Sequence, residues 1–485
     1  MVTWRPFHVV EAMVVLAAGL SAGVARGQTT AARDCPATTI PFVDKTFGFS
    51  MRLPAGWTYD RTGFFGPGGS LGALRGASPD GRATLQILVF RELKTPVFSE
   101  WVEYFSKQLG AINGTQRVRV QGTTVAGRPA AFVIVDARLG IDQTRTTYCC
   151  VRFDEGTIWV FSYAQVLGKA LADRSPAQGD RTVPVSPRIK RLTDSLRVIY
   201  NAPLARQMAV ALQRGRAYLA RFALQDAIRS LRLDTAERYY EIRIKGRAVG
   251  YMTRRVQPDT EPLQDARPGV RGKEGLHIRE QSYVFADDGS VDYARIDLFS
   301  SRDGETDLYE IWNAQIAPPG ADNQPVRMTR DQCMREQDTL FSTFTTNADR
   351  GLPAPRRPLK LDKSYLGLAW VRALPGLLGT SPQPALGFTI YDTETRTLVT
   401  HVITALGSRP LPEHAGQTAY AYETRAGFVE TPGIVYTDAY GNLLRFEAGD
   451  FVLRQSTKAE IERRFGQRRD EVVRRLAATR TRPGG

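Results

Sequence analysis

The chain has 485 residues, 42% hydrophobic and 24% charged, and carries a net charge of +15. This composition excludes a disordered chain or one embedded wholly in a membrane, and the length exceeds what one ordinary core fills, so two or three folded units are expected. The positive excess is mostly arginine spread along the chain, which reads as a solvated surface rather than a nucleic-acid stripe.

The first residues carry an export pattern. Trp4, Arg5, Pro6 and Phe7 precede the apolar run "VVEAMVVLAAGLSAGVA", and Ala25-Arg26-Gly27 forms a small-x-small cleavage site. Residues 1–27 therefore read as a signal peptide, because the run is shorter than the ~20 apolar residues of a membrane span; an uncleaved anchor is the competing reading. Residues 28–40, small and polar, read as a flexible start. The expected localisation is periplasmic or extracellular, soluble after cleavage. There, Cys35, Cys149, Cys150 and Cys333 are disulfide candidates, with pairing open and Cys35 to one of the adjacent pair preferred. The expected counterparts of the positive charge are an anionic membrane surface or an envelope protein, and no nucleic acid.

From residue 41 onward strands and helices alternate in a readable order. In "TFGFSMRLPAGWTY", Phe47, Phe49, Met51 and Leu53 alternate before a turn at Pro54-Ala55-Gly56. "ATLQILVF" reads as a buried strand, and "FSEWVEYFSKQLGA" has the helical spacing Phe98, Trp101, Val102, Phe105, Leu109. Two hairpins follow, around Ala126-Gly127-Arg128 and Asp154-Glu155-Gly156, and "SPRIKRLTDSLRVIY" reads as a closing helix. In that order "FGFSMRLPAGW", "VAGRPAAFVIV", "GTIWVFSY" and "LTDSLRVI" resemble the PsbP-like group, which includes DcrB-like envelope proteins. The resemblance covers 41–200 and implies an α/β/α sandwich with an antiparallel sheet, serving as an accessory or binding module.

Residues 202–233 form a basic amphipathic helix, with Leu204, Met208, Leu212, Leu219 and Phe222 on one stripe and arginines elsewhere; it reads as a linker between units, with attachment to an anionic membrane as the alternative. "YYEIRIKGRAVGYM" then places a hairpin around Lys245-Gly246-Arg247. "LHIREQSYVF" and "VDYARIDLFSSR" turn at Asp287-Asp288-Gly289, "ETDLYEIWNAQI" is a further strand, and a polar loop follows. "LDKSYLGLAWVRALPGLL" reads as a helix ended by Pro375-Gly376, and strands through "GIVYTDAYGNLLRFEAGDFVLRQST" complete an antiparallel meander. With "YYEIRIKGRAVGYM", the stretches "GIVYTDAYGNLLRFE" and "VLRQSTKAEI" resemble β-rich domains that accompany bacterial transglutaminase-like proteins, similar to the LolA half-barrel. For 234–457 this implies a curved antiparallel sheet with a packed helix, so the whole chain is expected to be α+β. Residues 458–485 read as a basic helical tail.

Catalytic patterns are weak. Gly68-Gly69-Ser70-Leu71-Gly72 satisfies G-x-S-x-G, but it reads as a loop before a strand, where a nucleophile elbow needs a strand before a helix. Cys149 and Cys150 lie in a strand, where one side chain should face inward and the other outward. The mature histidines, His277, His401 and His414, are scattered, and no paired C-x-x-C or dinucleotide fingerprint occurs, so no catalytic residue, metal or cofactor is expected. Tyr251, Tyr283, Phe285, Tyr309, Trp312 and Trp370 are candidates for an apolar groove on the second sheet, with a filled core as the competing reading. The expected function is a non-enzymatic binding or accessory protein of a bacterial envelope, taking a lipid or hydrophobic ligand. The alternatives are an interaction scaffold without a small ligand and a serine hydrolase using Ser70.

Overall fold

The structure, a computed structural model, describes residues 39–60, 71–90, 97–112, 114–139, 142–153, 157–167, 185–221, 235–259, 273–318, 327–346, 356–393, 396–414, 418–429 and 431–481. The signal-peptide region, Cys35 and Ser70 lie outside them. The chain divides into two compact units, Met1–Ala202 and Pro203–Gly485, the boundary falling at the first residue of a helix that otherwise belongs to the second.

The first unit contains β1 (Thr39–Asp44), β2 (Phe49–Pro54), β3 (Thr58–Asp60), β4 (Leu71–Ala77), β5 (Ala83–Phe90), α1 (Phe98–Gly110), β6 (Thr115–Val125), β7 (Arg128–Leu139), β8 (Asp142–Arg152), β9 (Ile158–Leu167), α2 (Pro187–Asp194) and β10 (Arg197–Val198). Its main sheet is antiparallel in the order β3-β4-β5-β9-β8-β7-β6, and β1-β2-β10 forms a second, three-stranded sheet. Because successive strand residues leave opposite faces, Cys149 and Val151 pack with Phe49, Met51 and Ile189 beneath the small sheet and α2, whereas Tyr148 and Cys150 pack with Trp101 and Phe105 of α1. Both cysteines are therefore buried: the strand has no solvent face. The closing helix is shorter than its sequence suggests. It ends at Asp194, and Arg197 and Val198 pair instead with Ser50 and Phe49.

The second unit contains α3 (Ala202–Arg221), β11 (Arg238–Ile244), β12 (Arg247–Asp259), β13 (Gly275–Phe285), β14 (Val291–Ser301), β15 (Asp307–Ile316), β16 (Arg327–Glu336), β17 (Thr339–Thr346), β18 (Arg357–Lys360), α4 (Leu368–Leu378), β19 (Leu386–Asp392), β20 (Thr397–Arg409), β21 (Ala419–Ala426), β22 (Gly433–Thr437), β23 (Leu443–Ala448), β24 (Phe451–Ser456) and α5 (Lys458–Thr481). All fourteen strands among the described residues form one antiparallel sheet, in which β11 joins β12 on one side and β24 on the other. The β11–β12 hairpin turns on Lys245 (φ 50°) and Gly246 (φ 77°), the double left-handed pair that suits a two-residue loop between twisted strands. Gly250 lets β13 approach: a β-carbon there would lie 2.0 Å from the Tyr283 carbonyl oxygen.

The sheet rolls around α4. Leu276, Leu298 and Tyr309 from one half and Phe388, Val399, Ile403 and Tyr422 from the other share one core with Trp370 and Leu374, and each such side chain contributes roughly 1.5–3 kcal/mol on burial. The roll brings β19 against β16 and β17, where the Tyr391 hydroxyl donates to the buried Asp331 carboxylate at 2.7 Å. Pro375 lies inside α4 instead of ending it.

Four expectations from the sequence are overturned. Among the described residues 55% are strand and 21% helix, so the protein is mostly β and not α+β. One face of the first sheet carries a second sheet as well as α2, so the unit is not an α/β/α sandwich. Nor does α3 act as a linker helix: it docks on the second unit, with Gly215 against Gly387 and Arg216 3.2 Å from Asp362. Between Ala317 and Lys360, read as polar loop, the chain supplies β16, β17 and β18. Their polar residues misled because several are buried with partners, as in Asp331, Ser342 and Tyr391.

Candidate binding cleft

The site is built on the inner face of the rolled sheet, the face turned toward α4. On β14 this face carries Leu298, Ile296, Ala294 and Asp292 in turn. On β15 it carries Tyr309, Ile311, Asn313 and Gln315. Both rows run from apolar to polar as they leave α4. At the apolar end the interior is sealed. The Tyr309 and Tyr365 hydroxyls lie 2.9 Å apart, Tyr309 accepts the Leu368 backbone N–H, and the Trp370 indole N–H donates to the Ser301 carbonyl. Ser300 donates to the fully buried Asp307 carboxylate at 2.5 Å; burial raises that carboxyl's pKa against the opposing effect of its donors.

Beyond α4 the inner face opens. Ser282, Ala294, Asn313 and Thr329 stand side by side in register, with Val284, Asp292 and Gln315 in the next row. They line a cleft of about 360 Å³. Val284 also packs with the apolar cluster of Ile242, Met252, Phe446, Phe451 and Leu453. The cleft thus offers amide, hydroxyl and carboxylate groups beside an apolar strip.

The aromatic candidates do not converge on one groove. Tyr251, Tyr283 and Phe285 come together on the outer face, stacked with Phe465 of α5. Tyr309 and Trp370 lie on the inner face in the core around α4. Trp312, three residues from Tyr309, projects from the opposite face, with the Arg330 guanidinium 4.8 Å over its ring. The cleft residues Ser282, Asp292, Asn313, Gln315 and Thr329 were absent from the sequence candidates. Their signal was the change of polarity along one face of "VDYARIDLF", visible once alternate residues are read separately.

The remaining chemistry-bearing groups are held by structural partners. His277 is buried, with Nδ1 2.9 Å from Asp259 and Nε2 3.7 Å from Asp297, and Asp297 pairs in turn with Arg279 and Arg295. Asp259 holds Nδ1, while Asp297 stands beyond hydrogen-bond length of Nε2, and no serine or cysteine nucleophile contacts the ring among the described residues. Among the described residues, Cys149, Cys150 and Cys333 are buried thiols with no disulfide partner. Burial pushes Cys149 up to about 12 and the other two well above the ordinary thiol range, away from reactive thiolate. Among the described residues, no group of three or more His, Cys, Asp or Glu side chains is placed to hold a metal ion, and no helix is long and apolar enough to cross a membrane.

No family model matches the sequence, and no curated protein matches it. Among solved structures, the chain is similar to a β-barrel-like protein of a domain of unknown function, DUF1849, from Brucella abortus, at 11% identity and a TM-score of 0.30, over 45% of this chain and 94% of that one.

Proposed function

We propose that this chain is an exported, non-enzymatic binding protein of a bacterial cell envelope, holding a lipid or other amphiphilic ligand on the inner face of its second unit. The observation that carries the reading is the open cleft beyond α4, where polar groups on Asn313, Gln315 and Thr329 lie beside the apolar strip that includes Val284. The resemblance of "YYEIRIKGRAVGYM" and "GIVYTDAYGNLLRFE" to the β-rich domains that accompany bacterial transglutaminase-like proteins, whose curved sheet is similar to the LolA half-barrel, supports a carrier role, and the export pattern of residues 1–27 supports export.

Native mass spectrometry of the mature protein, followed by organic extraction, tests the proposal. A stoichiometric ligand is expected, and Ala294→Trp, which places an indole in the cleft, is expected to abolish it. A bare mass that stays bare after incubation with lipid vesicles would overturn the reading and leave a protein–protein scaffold in its place.

A further inference from the structure

The same inner face carries a second feature, one step along the strands from the cleft. Arg254 of β12 sits opposite Glu280 of β13, the neighbouring row is Met252 and Ser282, and the row after it is Gly250 and Val284. Arg238 of β11 lies beside Arg254 in register. Arg372 of α4 faces the same spot. These three arginines, with Tyr240 and Leu443, line a small pocket of about 30 Å³.

Around Glu280 the charges are unequal. Glu280, buried, is shared by Arg254 at 3.6 Å and Arg372 at 3.5 Å, so one carboxylate faces two guanidiniums and meets neither at charge-assisted hydrogen-bond length. The Arg254 side chain is itself only 12% exposed. Its other contact is the Arg372 carbonyl oxygen at 3.3 Å, a dipole and not a second counter-charge. Electrostatics nearby point the same way: the positive charge of Arg372 adds to burial in lowering the basicity of His401.

We infer that this arginine pocket receives the anionic head, phosphate or carboxylate, of the amphiphile whose remainder lies in the adjoining cleft. The inference rests on the binding function proposed above and names the class of ligand. The geometry fits a single elongated molecule. Two strand residues advance the face by roughly 7 Å, so the span from the Arg254 row to the Val284 row is about 14 Å. A head anchored at Arg254 and Arg372 thus directs an acyl chain past Met252 toward Val284. A guanidinium fork suits a two-oxygen anion better than a point charge would.

Isothermal titration calorimetry on the intact protein tests this with four probes kept below micelle-forming concentration: dodecyl phosphate, dodecanoate, uncharged dodecyl maltoside and inorganic phosphate. Dodecyl phosphate and dodecanoate are expected to bind more tightly than the maltoside. Arg254→Gln and Arg372→Gln are each expected to weaken the anionic amphiphiles by about tenfold, the effect of losing one charged hydrogen bond, and to leave the maltoside unchanged. Arg247→Gln removes the same charge from an exposed hairpin tip and is expected to change nothing. Arg372→Gln keeps Arg254 beside Glu280, so it stays informative if Arg254→Gln fails to fold. Anionic binding that ignores both pocket variants would overturn the inference while leaving the cleft reading intact. Inorganic phosphate binding as tightly as dodecyl phosphate would overturn the amphiphile and leave a free-anion site. Failure of every long-chain probe would overturn both.

Discussion

Gly215 of α3 and Gly387 of the edge strand β19 meet backbone to backbone: a β-carbon on Gly215 would lie 1.8 Å from the Gly387 carbonyl oxygen. A glycine in mid-helix costs about 1 kcal/mol against alanine, so propensity alone predicts that Gly215→Ala stabilises. Packing predicts the reverse, since overpacking a closed contact costs about 1–3 kcal/mol. The backbone carbonyl has no rotamer by which to yield, so packing wins. Gly215→Ala is expected to lower the denaturant midpoint, and a midpoint that rises would show that α3 is not docked on β19. The contact also covers an edge that would otherwise be open to pairing.

This contact marks the boundary of what the sequence could tell. Local order was legible: the hairpins at Lys245-Gly246 and Asp287-Asp288-Gly289, the buried stripe Trp101, Val102, Phe105, Leu109, and the opposite faces of Cys149 and Cys150 all follow from period and turn chemistry. The pairing of β11 with β24, more than two hundred residues apart, was not, because no local pattern records which distant strand closes a sheet. The overweighting of helix came from reading Arg-rich amphipathic stretches as independent elements. The groove candidates mixed faces for a simpler reason. Tyr309 and Trp312 differ by three positions, an odd spacing that in a strand separates their side chains across the sheet.

His401 gives a pH dependence with a definite sign. Its ring lies on the inner face, Nδ1 has no hydrogen-bond partner among the described residues, and burial followed by the charge of Arg372 pushes its pKa down to about 4. An unfolded histidine titrates near ~6.5, so between these values the unfolded chain binds the extra proton. The stability contributed is fully present above about 6.5 and is lost as pH falls toward 4. The shift corresponds to a loss on the order of 3 kcal/mol at about 1.4 kcal/mol per pKa unit. Denaturant melts at pH 7 and 4.5 are expected to show a smaller acid loss for His401→Gln than for the parent. Parallel pH profiles would assign the acid sensitivity elsewhere.

The thiols offer a second check on burial. Cys149 and Cys150 belong to opposite cores of one sheet and Cys333 to the core around α4. With their pKa values raised by burial, native protein is expected to react with an aromatic disulfide reagent at none of the three, and denatured protein at all three. Fast labelling of native Cys149 or Cys150 would mean that the β8 region opens far more readily than its packing implies.

Apolar contact, more than charge, holds α5, a helix dense with arginine, on the outer face. Thr457 and Glu460 cap its start reciprocally, Thr457 Oγ1 accepting the Glu460 N–H and Glu460 accepting the Thr457 N–H. Ile461, Phe465 and Val472 bury against Tyr251, Tyr283 and Phe285. Arg464 reaches the buried Glu241, which Arg243 and Arg454 also contact. The Arg464 side chain is 45% exposed, and the buried Glu241 keeps Arg243 and Arg454 when it is removed, so losing this one arm costs on the order of 1 kcal/mol, whereas truncating a buried phenylalanine costs about 3–5 kcal/mol. Apolar contact should therefore dominate despite the charge. Phe465→Ala is expected to release α5 to trypsin, while Arg464→Gln, or 1 M salt, which shortens the screening length to about 3 Å, leaves it protected. Release by salt together with protection in Phe465→Ala would reverse that ranking and make the Glu241 cluster the anchor.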